Sequence, residues 1–143
     1  MKIRLLKKNE ISICAAIVGK NYGKKYQRMS AAEMEEMFTA GPIKPKFFVA
    51  EERQSIVGFA GVAQSWMDYS VWLIFWVNVL PEHQKQGVGK ELIARVLSGL
   101  RKKKDARLVL LTAKIPNYYK KHFGFQIIDT VQSGDHLMRL RLK

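Results

Sequence analysis

PEHQKQGVGKEL, residues 81 to 92, joins a proline and a polar run to two glycines one residue apart, and then enters an amphipathic helical pattern. Two familiar phosphate-loop patterns fail on this stretch. The Walker form needs a glycine five positions before its Gly-Lys pair and a Ser or Thr after it. Here those positions hold Gln84 and Glu91, so the usual magnesium ligand is missing. The dinucleotide form would place its third glycine at Leu92, whose side chain blocks the close helix-sheet approach that glycine permits. What remains is Gln84-x-x-Gly87-x-Gly89 opening a helix.

Working outward, the segment before this turn, VWLIFWVNVL at 71 to 80, is apolar almost throughout, as expected of a central strand buried on both faces. The segment after it places Leu92, Val96 and Leu100, with Ile93 and Leu97, on one helical face running to about Lys104. ARLVLLTA at 106 to 113 reads as another buried strand. The three segments therefore form a strand-helix-strand unit, normally a right-handed parallel crossover. A short helix from Pro116 to about His122, a strand from Phe125 and the alternation in HLMRLRL complete the C-terminal half.

Toward the N-terminus, KIRLL alternates as a first strand and Asn9 is placed to cap a helix to about Lys20, with Ile13 and Ile17 on one face. Ser30 and Glu33 have capping-box spacing. They predict a second helix with an apolar stripe of Met34, Met37 and Phe38 that ends at Gly41-Pro42. FFVAE and SIVGFAGVAQ, separated by a polar turn at 52 to 54, read as an antiparallel hairpin. The predicted order is β-α-α-β-β-β-α-β-α-β-β, an α/β chain with one mixed sheet and helices on its faces.

The 143 residues, 48% of them hydrophobic, suit one domain, since roughly 100 to 200 residues is the usual size. The lone Cys14 allows no intramolecular disulfide and reads as a buried structural thiol. MKIRLL alternates as a strand and not as a leader, and the longest apolar run, 71 to 77, is far short of the ~20 residues of a membrane-spanning helix. A soluble, cytoplasmic protein without a membrane partner is expected. Twenty-five Lys and Arg against 12 Asp and Glu give a formal charge of +13, so the surrounding field attracts anions. Nucleic acid is one such partner. The basic clusters at 24 to 28, 101 to 104 and 119 to 122 are scattered, however, and the aromatic-basic pattern of the common RNA-binding strand motif is missing.

Taken together, VNVLPEHQKQGVGKEL, YYKKHFGF and the element order resemble the GNAT superfamily of acetyl-CoA-dependent N-acetyltransferases, along the whole chain. The resemblance implies a mostly antiparallel sheet of about 6 to 7 strands flanked by about 4 helices, in a single N-acetyltransferase domain at 1 to 143. It also implies acetyl-CoA as cosubstrate, with no metal. The physical chemistry of the turn suits that ligand. Gly87 and Gly89 leave the backbone open, and amides from Lys85 through Gln86 and Val88 can converge on pyrophosphate oxygens. The following helix adds its positive end, and Lys85 and Lys90 add charge.

By the same resemblance, Gln84 opens the loop motif and the backbone groups of Val77 and Val79 pair with the pantetheine arm. Val79 N–H would then polarise the thioester carbonyl. Trp72, Phe75 and Trp76 share that strand as core, with one of them free to line the acceptor pocket. Tyr119, with Tyr118 as second choice, is the expected acid. Tyr119 lies five positions before Gly124, one more than in the family's tyrosine helix. The family's strand carboxylate has no counterpart in VWLIFWVNV, which leaves Asp68, Glu82, His83 or a water relay as the base. Its Asn after the fifth strand is replaced by Thr112 or Ala113, and Asn117 comes too late.

The amine acceptor would be walled by residues 9 to 41, where KNYGKKYQRMS, basic and with two tyrosines, suggests a carboxylate or phosphate on it. A homodimer is possible in this family. A catalytically idle coenzyme A-binding domain and a nucleic-acid-binding domain are the alternative readings.

Overall fold

The structure, a computed structural model, describes residues 1–143. Seven strands form one sheet in the order β1-β2-β3-β4-β5-β7-β6. They are β1 Lys2–Leu5, β2 Lys46–Glu52, β3 Ser55–Gln64, β4 Val71–Val79, β5 Leu108–Ala113, β6 Gln126–Thr130 and β7 His136–Arg141. Only β4 and β5 are parallel, because helix α3, Val88–Arg101, carries the chain back across the sheet between them. All other neighbours are antiparallel. The expected mixed sheet and element order are therefore present.

Helices α1, Ile11–Tyr22, and α2, Lys24–Glu35, cover one face. Ile11, Cys14, Ile17 and Val18 of α1 and Met34 of α2 pack there on Phe47, Val49 and Phe59. On the opposite face α3 buries Val88, Leu92, Ile93, Val96, Leu97 and Leu100. Helix α4, Pro116–Phe123, lays Tyr119 and Phe123 against the same core, which includes Val109, Phe125 and Met138. Cys14 has no exposed surface, and burial pushes its thiol up to about 12. No helix is long and apolar enough to cross a membrane.

Three sequence expectations need correction. The helices α1 and α2 meet at Gly23, whose φ of 97° no ordinary side chain adopts comfortably. As a result α2 begins at Lys24 and Ser30 lies inside it, donating its hydroxyl to the Gln27 carbonyl at 2.9 Å. The supposed Ser30–Glu33 capping box does not form. The helix gives way at Glu36 to a 3-10 turn through Phe38, which is exposed. In α1, Asn9 lies in a 3-10 turn and Glu10 is the cap, which rotates Ile13 out to solvent while Ile17 is buried. Arg4 holds this turn with a two-pronged bond to Glu10 (2.9 and 2.7 Å) and a third to Glu51 (3.1 Å).

The third correction concerns β4. Only Val71, Ile74 and Asn78 of its nine residues are buried. Its parallel pairing with β5 covers Val71–Leu73 and then stops. On the other side, the register with β3 slips between Phe59 and Gly61, so that Trp76 and Val77 together face Ala60. Trp76 sits in this bulge at a φ of 53°, a left-handed conformation that is costly for a bulky residue. Beyond Leu73 the strand leaves β5 and opens the sheet.

Candidate functional site

The opened end of β4 and the turn that follows it form one continuous surface. Leu80 N donates to the Val57 carbonyl at 2.8 Å, so by strand alternation Val79 turns its own N–H and carbonyl away from β3. The Val79 carbonyl is already satisfied, by Asn21 Nδ2 at 3.0 Å and Gln84 Nε2 at 3.1 Å. Asn21 Nδ2 also donates to Asn78 Oδ1, and Gln84 Nε2 to Asn21 Oδ1, each at 3.1 Å. Two neutral carboxamides, from α1 and the turn, thus grip one carbonyl, and Asn78 of β4 accepts from the first of them. With Tyr22, Val77 and Val79 they line a cleft of about 390 Å³.

After Pro81–His83, a 3-10 turn, the chain takes two left-handed steps, Lys85 at φ 63° and Gly87 at φ 87°, before α3 begins. The consequence is a run of unmet donors. The six successive amides from Lys85 to Lys90 donate to no backbone or side-chain acceptor of the protein, and the first partnered one is Glu91 N, bonded to the Gly87 carbonyl at 3.0 Å. Three of the six are first-turn amides that a helix cannot satisfy internally. Concentrated at the positive end of α3 beside the exposed Lys85 and Lys90, they make a receptor for an anion.

The two glycines work differently. A side chain on Gly87 would meet nothing within 4 Å, so its requirement lies in the positive φ. Gly89 has an ordinary helical backbone, and its added Cβ would lie 3.8 Å from Val79 Cγ2 and 4.0 Å from Val77 Cγ1. The space beside Gly89 is therefore the space in front of opened β4. Val88 is buried between them against Val57 and Ala60 and offers only its amide. Gln86 Nε2 is turned back to the Glu82 carbonyl at 3.4 Å.

Of the two tyrosines, Tyr119 lies deeper. Its ring packs edge-on against Phe125 at 5.9 Å, and burial, then the neighbouring Tyr118 and Tyr22 phenols, push its hydroxyl up to about 12. Tyr22 lines the cleft. Tyr118 packs edge-on against His122 at 4.7 Å, and partial burial raises its hydroxyl too. Both tyrosines are brought to the end of the molecule where β4 opens.

The other sequence candidates scatter. Asp68 accepts from Ser70 N (2.9 Å) and Ser70 Oγ (2.7 Å) in the β3–β4 turn, at the far end of β4, and these bonds hold its carboxyl low. Glu82 is exposed, and His83 keeps a buried Nδ1 without a partner. Thr112 and Asn117 are exposed and Ala113 is buried. Trp72 stays with the paired half of β4, and Phe75 packs on Phe47 at 5.8 Å. Trp76 donates its Nε1 to Glu33 at 2.9 Å, so the residue expected to cap α2 is instead the carboxylate brought beside the bulge.

Sequence reasoning missed Asn21 and Asn78, and it did not place Tyr22 beside Val77 and Val79. Asn78 carried a signal, as the one polar residue in an apolar strand. Tyr22 was noticed only as one of two tyrosines in the basic acceptor-wall segment, and Asn21 carried no signal, because their place at the cleft comes from where α1 ends. No group of three His, Cys, Asp or Glu side chains lies together in the fold.

Residues 44–127 match the family model for the acetyltransferase (GNAT) domain. The fold is similar to that of a GNAT-family acetyltransferase from Desulfovibrio desulfuricans, with TM-score 0.84 and 18% identity over 99% of both chains. It is also similar to an aminoglycoside 6'-N-acetyltransferase complexed with coenzyme A, with TM-score 0.81 and 16% identity over 100% of this chain and 98% of the other. A third likeness is to Ard1 from Thermoplasma volcanium, with TM-score 0.76 and 20% identity over 98% and 96% of the chains. No curated protein matches in sequence.

Proposed function

Because this chain belongs to the GNAT acetyltransferase family, we propose that residues 1 to 143 act as a single N-acetyltransferase domain that moves an acetyl group from acetyl-CoA to a primary amine, without a metal. The observation that carries this reading is the run of six unpartnered amides, Lys85 to Lys90, facing the opened end of β4. A pyrophosphate needs many donors in a small space, and a pantetheine arm needs a free strand edge. The two lie side by side, and Gly89 leaves the passage between them clear.

Acetyl-CoA supplies a thioester whose carbonyl accepts a nucleophile. The Val77 and Val79 edge receives the arm as an added strand, and Val79 N–H donates to the thioester oxygen as negative charge gathers there. Gln84 and Asn21 grip the Val79 carbonyl and so fix the Val79–Leu80 peptide, next to the one that carries the Val79 N–H. The amine forms the new C–N bond as the C–S bond breaks. Tyr119, or Tyr118 in its place, donates to the departing sulfur. A phenol near 12 is protonated at neutral pH and acts first as a hydrogen-bond donor, since full transfer to a thiolate near 8.5 is uphill by about 5 kcal/mol.

The acceptor's proton leaves through solvent, because the cleft presents neutral carboxamides and no ionisable group of β4. An acceptor whose pKa is near the lysine value of about 10.4 then reacts faster in proportion to its neutral fraction. The rate rises tenfold per pH unit with no second limb from an enzyme base. The basic α1–α2 region favours an acidic acceptor, and +13 serves phosphates more than nucleic acid. Duplex DNA should bind weakly and lose affinity steeply with salt.

Calorimetry with acetyl-CoA in the presence of a chelator, followed by thiol release over a broad amine panel, tests the reading. Saturable metal-free binding with transfer is expected. No binding, or binding only with magnesium, overturns it. Binding without transfer to any amine would leave a coenzyme A-binding module in its place.

A further inference from the structure

At the other end of the sheet from the unpartnered amides lies a larger cavity of about 640 Å³ that plays no part in the proposed reaction. It is enclosed by the loop before β2 (residues 41 to 45), the C-terminal half of α3, and the ends of β2, β3 and β4. The floor is apolar, with the half-buried Phe48 and Trp72 beside the buried Leu100. Around it stand four exposed cations, Lys44, Lys46, Arg95 and Lys103, and no acidic residue lines the space. None of the four is in an ion pair, since the only two salt bridges of the fold belong to Arg4.

Two of these cations are drawn inward over the floor. The Arg95 guanidinium sits 5.3 Å from the centre of the Phe48 ring, and the Lys103 ammonium 5.4 Å from that of Trp72. In water a cation reaches such a position only weakly favoured. It is ready to exchange a ring face for an anion without leaving the cavity. Gly99 lies between them on α3, half-buried and lining the same space. Its backbone is ordinary helix, and a Cβ there would meet only Arg95 Nη1, at 3.6 Å. A glycine inside a helix costs stability relative to alanine. Neither backbone strain nor packing requires it, and its effect is to keep the cavity open.

We propose that this cavity is a second binding site, for a small organic anion with an apolar body. The apolar part lies on Phe48, Trp72 and Leu100, and the carboxylate or comparable head group is held by Arg95 and Lys103, with Lys44 and Lys46 at the mouth. The volume falls within the range of about 300 to 1,000 Å³ usual for small-molecule sites. The four uncompensated cations select an anion, and the flat aromatic floor selects against small hydrophilic ones such as free phosphate.

Decanoate and its neutral counterpart decanamide are suitable probes, titrated by calorimetry and by quenching of tryptophan fluorescence. Decanoate should bind saturably at one site, about tenfold or more tighter than decanamide. The double variant Arg95→Gln/Lys103→Gln should remove that preference. Gly99→Leu, which keeps all four charges but puts a side chain into the space between Arg95 and Lys103, should weaken binding of both probes by about tenfold or more. Both variants should keep the wild-type affinity for acetyl-CoA and a cooperative melt. The proposal is overturned if decanoate does not saturate below its micellar concentration, if it binds no tighter than decanamide, or if Gly99→Leu binds it as the wild type does. Because no residue of the acetyl-CoA site is changed, failure here leaves the proposed acetyl transfer standing, and failure of acetyl-CoA binding leaves this site standing.

Discussion

The two halves of β4 are made of similar residues and do opposite things. From Val71 to Leu73 the strand is paired on both edges, with β3 and with β5, and its neighbour Val109 is fully buried. From Phe75 to Val79 the side chains are apolar apart from Asn78, but the β5 edge is gone, a bulge turns Trp76 into a left-handed conformation, and the next segment leaves six amides unsatisfied. The first half contributes stability by completing backbone bonds inside a core. The second leaves such bonds incomplete and so has something to offer a ligand. Apolar composition therefore does not distinguish scaffold from site in this fold; the completeness of backbone pairing does.

The largest effect is expected for Gly89→Val. Its side chain would enter the space before Val77 and Val79, so the protein should stay folded while acetyl-CoA affinity falls by at least ~10³-fold, about 4 kcal/mol. Unchanged affinity in calorimetry would mean that the opened half is not the site. Tyr119→Phe removes one hydroxyl and should lower kcat by ~10²-fold, about 2.7 kcal/mol, with acetyl-CoA binding nearly intact. Full turnover in Tyr119→Phe with loss in Tyr118→Phe would move the role to the outer phenol.

In the paired half the reverse pattern is expected. Val109→Ala should lower unfolding free energy by roughly 2 to 3 kcal/mol in urea titrations, since it empties core volume, and leave the acetyl-CoA dissociation constant as it was. A large change in that constant would show that the two halves are coupled.

The smallest effect is alkaline. Below pH 10 the Tyr119 phenol is protonated both folded and unfolded, so it adds no pH dependence. Between pH 10 and about 12 the unfolded phenol ionises while the buried one stays neutral, and stability falls as pH rises. The wild type should lose about 2 kcal/mol more than Tyr119→Phe across that window. Equal losses in the two proteins would mean that Tyr119 is not sheltered. Cys14 behaves in the same sense between about 9 and 12.

Much of the architecture was legible because it is written in local periods. Leu92, Val96 and Leu100 mark the buried face of α3 at helical spacing, and the alternation and turn residues around 47 to 64 mark the hairpin. The errors fall where a local signal had a tertiary competitor. Ser30 and Glu33 have capping spacing, but Gly23, seven residues earlier, already supplied the break between helices, and Glu33 was drawn to Trp76. Gly87 and Gly89 looked equivalent in sequence, and only the backbone angles and the positions of Val77 and Val79 separate a conformational need from a need for space.

The sequence by itself determined the element order, the amphipathic faces and the glycine turn at the start of α3, since each depends on residues within one or two helical turns of one another. Tertiary structure alone decided that β4 parts from β5 after Leu73, that Asn21 and Gln84 meet on the Val79 carbonyl, and that Asn78 accepts from Asn21. These contacts join residues as many as 63 positions apart, and they depend on how the packed faces rotate and where a strand bulges. No local period records such quantities, because they are set by the fit of the whole core.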